Sequence, residues 1–278
     1  MDVRSANLVP RIASTPEVAR ALVAIDGAAI VEGIASVEEA IAFGERMLGE
    51  RTVRVRPQFE ATKEYHAEED AAVLAQAPDE RGRTRQRVGM QGHQPAHNDG
   101  FGFGDFAPDH MFLWCERPCD LGGASFLVDA LSLLTLVGAD DPEFAEFAWT
   151  TPIDHSMPNF PQGSFEPIAR MVPGGRVQVR SNPDQCAVPG PDEARDAEML
   201  ARWSSAVHAA RTGGAQFRAS AGQLLCIDNY RMLHGRNGVV SPDRKMVSIW
   251  AWTTDAVAVP EGELDIASPD LARLRSAG

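Results

Sequence analysis

The sequence predicts an α+β protein built on a barrel or jelly roll. Three observations carry this. Helix-start signals crowd the first fifty residues. Short apolar runs bounded by turn residues follow from Met111 onward. One long amphipathic segment, residues 192–211, interrupts those runs before the last two of them. At 278 residues the chain is long enough for one sizeable core, and barrels of about 200–250 residues form single domains. We therefore expect a single domain over 1–278. Within it lie a helical and strand portion to about residue 55, a lid-like segment over about 56–92, and a core over about 93–255.

Taken in order, Thr15-Pro16-Glu17 opens a helix with a capping hydroxyl and a proline in the first turn. Asp26 to Gly33 is an apolar run bounded by glycines and reads as a strand. Ser36 and Glu39 form a capping box for a helix reaching about Gly49. From Arg56 to Gly92 the chain is polar and poorly periodic, with Tyr65, His66, an acidic cluster at Glu68-Glu69-Asp70 and a basic run from Arg81 to Arg87. Such a stretch is a binding loop or a solvated face. Met111–Cys115 and Ser125–Val128 read as strands, and residues 130–149 contain a helix. Residues 151–175 carry little periodic signal. Arg176–Arg180 alternates as a half-buried strand does, and Gln223–Ile227 and Met246–Trp252 read as late strands.

Composition excludes several functions. The net charge of −13 repels phosphate backbones, so no nucleic-acid partner is expected. No apolar stretch approaches the roughly 18 residues of a membrane span, and no signal-like run opens the chain. Cys115, Cys119, Cys186 and Cys226 therefore read as reduced thiols of a cytoplasmic protein. Cys115 and Cys119 have no second pair at zinc-site spacing.

The chemistry lies in two distant segments. His97-Asn98-Asp99 places two ligand types two residues apart, so on a strand they would share a face. Asp228-Asn229-Tyr230-Arg231-Met232-Leu233-His234 supplies a second imidazole from elsewhere. Two histidines and a carboxylate match the facial triad of a non-haem Fe(II) site, which leaves coordination positions open. The glycine-rich run after Asp99, with Phe101 and Phe103, would let backbone approach a metal or substrate closely.

These residues resemble the Fe(II)/2-oxoglutarate-dependent oxygenases of the taurine dioxygenase and clavaminate synthase-like superfamily. His97-Asn98-Asp99 is similar to its H-x-D/E motif. Gly122-Gly123-Ala124-Ser125, continuing to Asp129, is similar to its G-G-x-[ST] segment. Asp228-Asn229 precedes His234 as in its D-N-x-x-x-x-H motif, and Arg244 fills the place of a following basic residue. The resemblance covers about residues 20–253. It implies a double-stranded β-helix (jelly roll) core flanked by helices, with Fe(II) held by His97, Asp99 and His234. It also implies 2-oxoglutarate and O2 as co-substrates, the far carboxylate of 2-oxoglutarate being held by Arg244 and Ser125. Many relatives carry a second arginine four residues beyond the first. Serine stands there in this chain, at Ser248, which makes Arg236 a fallback anchor. The retained carboxylate of Asp99 points to hydroxylation, with release of succinate and CO2, or to a desaturation or cyclisation that begins with the same hydrogen abstraction. Halogenating relatives lack that carboxylate.

Candidate substrate contacts are Phe101, Phe103, Arg180, Asn182 and Trp250, with a carboxylate partner suggested for Arg180. The expected substrate is a small molecule, a free amino acid or a similar polar metabolite, in a specialised pathway. Two other classes remain open: a non-catalytic jelly-roll protein that binds metal or ligand, and a zinc hydrolase. For the hydrolase no H-E-x-x-H helix supplies a general base. Asp228 reads as a turn residue or an orienting carboxylate rather than a ligand. His93 and His66 are further pocket candidates, while His208 reads as exposed on the amphipathic helix and His110 and His155 lack a partner at ligand spacing.

Overall fold

The computed structural model describes residues 2–57, 93–118, 121–156, 164–212, 214–238 and 244–261. The two N-terminal helices form where the sequence places them. In α1 (Pro16–Asp26) the Thr15 hydroxyl accepts from the Val18 amide, and Gly27 closes the helix at a left-handed φ of 86°. In α2 (Val37–Leu48) the Ser36 hydroxyl accepts from the Glu39 amide, while the Glu39 carboxylate reaches back to the Ala35 amide. Between the helices runs β3 (Ala28–Val31), buried at every position, as a central strand of a covered sheet should be.

Two sheets face one another. The larger has the order β2 (Arg11–Ala13), β3, β12 (Leu224–Asp228), β6 (His110–Arg117), β14 (Lys245–Thr253) and β4 (Thr52–Pro57). The smaller has the order β1 (Asn7–Leu8), β7 (Ser125–Asp129), β13 (Met232–Arg236) and β5 (Gln94–His97). Apart from the parallel pair β2–β3, these pairings are antiparallel. Met111, Leu127, Leu225, Met232, Trp250 and Trp252 fill the space between the sheets. Residues one position along the same strands, such as Phe112, Cys226 and Ile249, pack outward against α1 and α2. This alternation is the period-2 signature of the pleat. Burying a side chain such as Phe112 or Met111 contributes roughly 1.5–3 kcal/mol.

The outer face of the smaller sheet is covered by three helices, α3 (Ala130–Asp140), α4 (Pro142–Thr150) and α5 (Glu193–Arg211). The molecule is thus layered helix, sheet, sheet, helix, an α+β jelly-roll core with flanking helices. The long helix buries Met199, Leu200, Trp203, Val207 and Ala210, a stripe at helical spacing. Residues 130–149 hold two helices rather than one. Asp141 caps the second through the Phe144 amide, and Pro142 occupies its first turn. Short strands cross the weakly periodic stretch: β8 (Ile153–Asp154) pairs with β9 (Phe165–Glu166), and β10 (Ala169–Met171) with β11 (Val177–Val179).

The expected lid-like segment is corrected at its start. Arg56 and Pro57 belong to β4, where they lie opposite Trp250 and Ile249 of β14. The remainder of that segment, including Tyr65, His66, Glu68, Glu69, Asp70 and the basic run, lies outside the described residues, as does Cys119. Cys115, Cys186 and Cys226 are free thiols. Among the described residues no helix is long and apolar enough to cross a membrane.

Candidate metal centre

His97 ends β5 and His234 lies at the middle of β13, and the two are direct partners across the antiparallel pair. Their rings lie 4.4 Å apart between centroids. Asp99 is not on the strand, contrary to the sequence expectation. The strand stops at His97, and Asp99 sits in a turn that Gly100 closes at a φ of 72°. A Cβ at Gly100 would lie 2.5 Å from Cδ of Pro108, so both the backbone angle and the space demand glycine. The turn still brings the carboxylate to the imidazoles. Asp99 Oδ1 is 3.3 Å from His97 Nε2 and 3.4 Å from His234 Nε2. Ligand atoms of all three residues lie within 4.8 Å of one another.

The turn is held from outside by two buried asparagines. Asn229, in the connection between β12 and β13, accepts from the Asp99 amide at 2.9 Å and donates to the Asp99 carbonyl at 2.9 Å and the Pro108 carbonyl at 2.7 Å. Asn98 donates to the Asn229 and Met232 carbonyls and accepts from the Ser181 amide. The D-N segment therefore does its work through the asparagine. Asp228 is the last residue of β12 rather than a turn residue; it accepts from Arg176 and from the Tyr230 amide and touches neither imidazole.

The other carboxylate oxygen of Asp99 faces β14. Trp250 Nε1 donates to Oδ2 at 2.9 Å and Ser248 Oγ at 3.3 Å. Ser248, which stands where many members of the superfamily that the sequence resembles carry a second arginine, thus contacts the candidate ligand itself. The sequence offered no sign of either contact beyond the shared face of Ser248 and Trp250 on one strand. On the imidazole side, Nδ1 of His97 donates to the Pro95 carbonyl at 2.9 Å, so that in the neutral imidazole the Nε2 lone pair would be free for a metal. His234 Nδ1 is buried and has no hydrogen-bond partner among the described residues.

Burial opposes ionisation of Asp99, yet His234 and His97 hold its carboxyl well below the usual range. Burial and the neighbouring charge of His97 push His234 down. For His97 burial is outweighed by the hydrogen bond and charge of Asp99, and the imidazole is raised. Two nitrogen donors and one carboxylate oxygen, buried and convergent, suit a divalent transition metal, and none of the three is a thiolate that would favour zinc. The donor set therefore fits Fe(II).

The chain belongs to the TauD/TfdA dioxygenase family. A sequence model of that family, described as taurine catabolism dioxygenase TauD, TfdA family, matches residues 6–250. By family it is an Fe(II)- and 2-oxoglutarate-dependent oxygenase. Solved structures agree in fold. The protein superposes on an asparagine oxygenase, solved with Fe(II), 2S,3S-3-hydroxyasparagine and succinate, with a TM-score of 0.56. Identity is 16%, covering 85% of this chain and 77% of the other. It also superposes on PvcB, an Fe, α-ketoglutarate-dependent oxygenase from an isonitrile synthetic pathway, with a TM-score of 0.52. Here identity is 15%, covering 86% and 80% of the two chains. A search of the curated proteins found no match.

The other candidates fall at several distances from the trio. Ser125 begins β7, pairing through its backbone with Phe217, and lies opposite Arg236 of β13. Arg236 is buried on the same side of β13 as His234. Arg244 precedes β14 and lines a small cavity with Cys115, Gly122, Gly123, Arg218 and Met246. The G-G-x-S segment and Arg244 thus meet at one end of the sheets. Phe103 packs edge-on against Trp250 with centroids 5.6 Å apart, and Phe101 is buried beside it in the chain. Asn182 is spoken for. Its amide lies 3.4 Å from His155 Nδ1, and its carbonyl oxygen accepts from the Asp184 amide. His93 stacks on Phe126, a member of the outer core, and meets Arg211.

Proposed function

We propose that this protein hydroxylates an unactivated C–H bond of a free amino acid or similar small polar metabolite. The observation that carries the reading is the convergence of His97 Nε2, Asp99 Oδ1 and His234 Nε2 between the two sheets. These three would hold Fe(II). Arg244 would anchor the far carboxylate of 2-oxoglutarate, with Ser125 assisting. Arg236, buried opposite Ser125, is the alternative anchor. Bound there, Fe(II) with 2-oxoglutarate and O2 supplies the oxidising power for C–H hydroxylation, with succinate and CO2 released.

The chain's own residues do the rest. Trp250 and Ser248 fix the carboxylate by its second oxygen, so Oδ1 remains aimed at the imidazoles. The Pro95 carbonyl fixes the tautomer of His97. Phe103, Met232, Leu127 and Trp250 keep the space between the sheets dry. The amino-acid reading draws support from the asparagine oxygenase whose fold this chain shares. We take the domain to run as one unit from residue 1 to residue 278, and the enzyme to act in the cytoplasm.

The test is succinate formation from 2-oxoglutarate by the Fe(II)-loaded protein under air, with mass spectrometry across a panel of amino acids. A product 16 mass units heavier, formed with succinate, supports hydroxylation. A product 2 units lighter would replace it with desaturation or ring closure. Turnover of taurine or an aryloxy acid, with none of any amino acid, would overturn the substrate assignment.

A further inference from the structure

Arg180 carries a charge for which the fold makes little provision. It follows β11, and its guanidinium is 2% exposed. Nε donates to Gln178 Oε1 at 3.1 Å and Nη1 to Ser164 Oγ at 2.8 Å, both neutral acceptors. Nη2 is buried and makes no hydrogen bond among the described residues. Among the described residues the nearest carboxylate, Asp105, stands 3.9 Å away and is bonded to Arg170 at 2.7 Å. Glu166 also faces Arg170, at 3.4 Å. Both acidic neighbours are thus drawn to another arginine, whose charge repels Arg180. Burial and that repulsion bring the Arg180 guanidinium down to about 10. A buried guanidinium with an unmade hydrogen bond is costly, and folds rarely keep one without use.

Its direction follows from the strand. Val179 lies in the outer core, and Ser181 Oγ accepts from Trp203 Nε1 in the same core. Gln178 and Arg180 therefore point to the opposite side. The backbone of Ser181 is tied to Asn98 by two hydrogen bonds, Asn98 amide to Ser181 carbonyl and Ser181 amide to Asn98 Oδ1. On β5, Ala96 belongs to the outer core, as Val179 of β11 does. His97 and the turn carrying Asp99 are thus on the inner side, the side toward which Arg180 points.

The geometry points to Arg180 as the anchor for an anionic carboxylate of the substrate, which would accept a hydrogen bond from Nη2 on the inner side of the strand. This rests on the amino-acid reading above and deepens it: the α-carboxylate is the recognised group, and Arg180 is a specificity residue. Gln178 and Ser164 hold the guanidinium in place, so Nη2 is offered in one direction. An uncharged amide or a decarboxylated amine would leave the buried cation as it is and gain little.

The probes are free L-amino acids and their α-carboxamides. One measurement follows the arginine Nε–Hε resonances of 15N-labelled protein loaded with Zn(II) and 2-oxoglutarate, the Arg180 signal being the one missing from Arg180→Lys. The other is succinate formation by the Fe(II) enzyme with each acid and amide. We expect the Arg180 resonance to move with at least one free acid and not with its amide. We expect Arg180→Gln to raise KM for that acid about 100-fold, with a smaller change in kcat, and to erase the preference for acid over amide. Arg180→Lys should recover part of that preference. If no acid moves the resonance, if the amide moves it equally, or if Arg180→Gln keeps the preference, the proposal is overturned. Succinate coupled to an amino acid without movement of the resonance would leave the hydroxylase standing and remove Arg180. Movement without succinate would keep the carboxylate site and remove the hydroxylase reading.

Discussion

The side-chain amide of Asn229 clamps both backbone polar groups of Asp99, accepting from its N–H at 2.9 Å and donating to its carbonyl at 2.9 Å. A carboxylate that lies off the strand gains a fixed position in this way, and the same Nδ2 also reaches the Pro108 carbonyl.

Asn229→Asp replaces that double donor by an acceptor facing two carbonyl oxygens. We expect metal affinity, measured with Mn(II) or Fe(II) under anaerobic conditions, to fall about 10–100-fold. Stability to denaturant should fall by about 1–3 kcal/mol. An unchanged metal affinity would show that the clamp does not set the position of Asp99.

Trp250→Phe removes the indole N–H that Asp99 Oδ2 accepts while keeping a ring against Phe103. Metal affinity should drop about tenfold. Trp250→Leu, which also removes the ring, should cost further stability. Equal metal affinity in Trp250→Phe and the parent would assign Trp250 to packing alone.

Arg244 is the proposed anchor of 2-oxoglutarate and Arg236 the proposed alternative. Arg244→Leu should raise KM for 2-oxoglutarate about 100-fold or more, since it removes a charged partner of a carboxylate. Arg236→Leu should raise it less. The reverse order, read from succinate formation at varied 2-oxoglutarate, would transfer the role to the arginine two residues beyond His234.

His155 predicts an acid limb in the stability curve. Burial, and then the charge of Arg180, push its imidazole down to about 3. Its Nε2 donates to the Glu166 carbonyl, so the folded chain keeps it neutral. Unfolded, it takes up a proton below about pH 6.5. The unfolded state therefore binds more protons between those values, and stability falls as pH drops from about 6.5 toward 3. The full loss is about 5 kcal/mol if only this group is perturbed. His155→Gln should flatten that limb, as followed by chemical denaturation at several pH values. A limb of undiminished slope in the variant would place the acid sensitivity elsewhere.

What the sequence made legible was local or chemical. Thr15 and Ser36 cap their helices through neighbours three residues away, so their effect is written in a few adjacent letters. His97, Asp99 and His234 are legible because few residue types ligate metals and the spacing repeats a known pattern. The helix break at Pro142 and the strand over Thr52–Pro57 went unread, because the one proline and the short Val-Arg alternation that signal them are brief beside their surroundings. The asparagine clamp was not legible, because Asn229 meets Asp99 only after a separation of 130 residues has been closed. The same holds for Trp250 against Asp99 and for the stranded Nη2 of Arg180. A side chain's lack of a partner is a property of everything packed around it.

β14 is inserted between β6 and β4, in the interior of the larger sheet. It also carries Trp250, which reaches a residue 151 positions earlier. During synthesis, then, a chain that has already exposed His97 and Asp99 to the cell still lacks the strand that steadies them, and it lacks His234 until shortly before. Loop closure over such distances is paid for late and makes folding slow. With His97, Asp99 and His234 as the proposed ligands, iron capture would thereby be deferred to the final stage of folding, and the half-made chain would offer passing metal ions only a two-residue foothold.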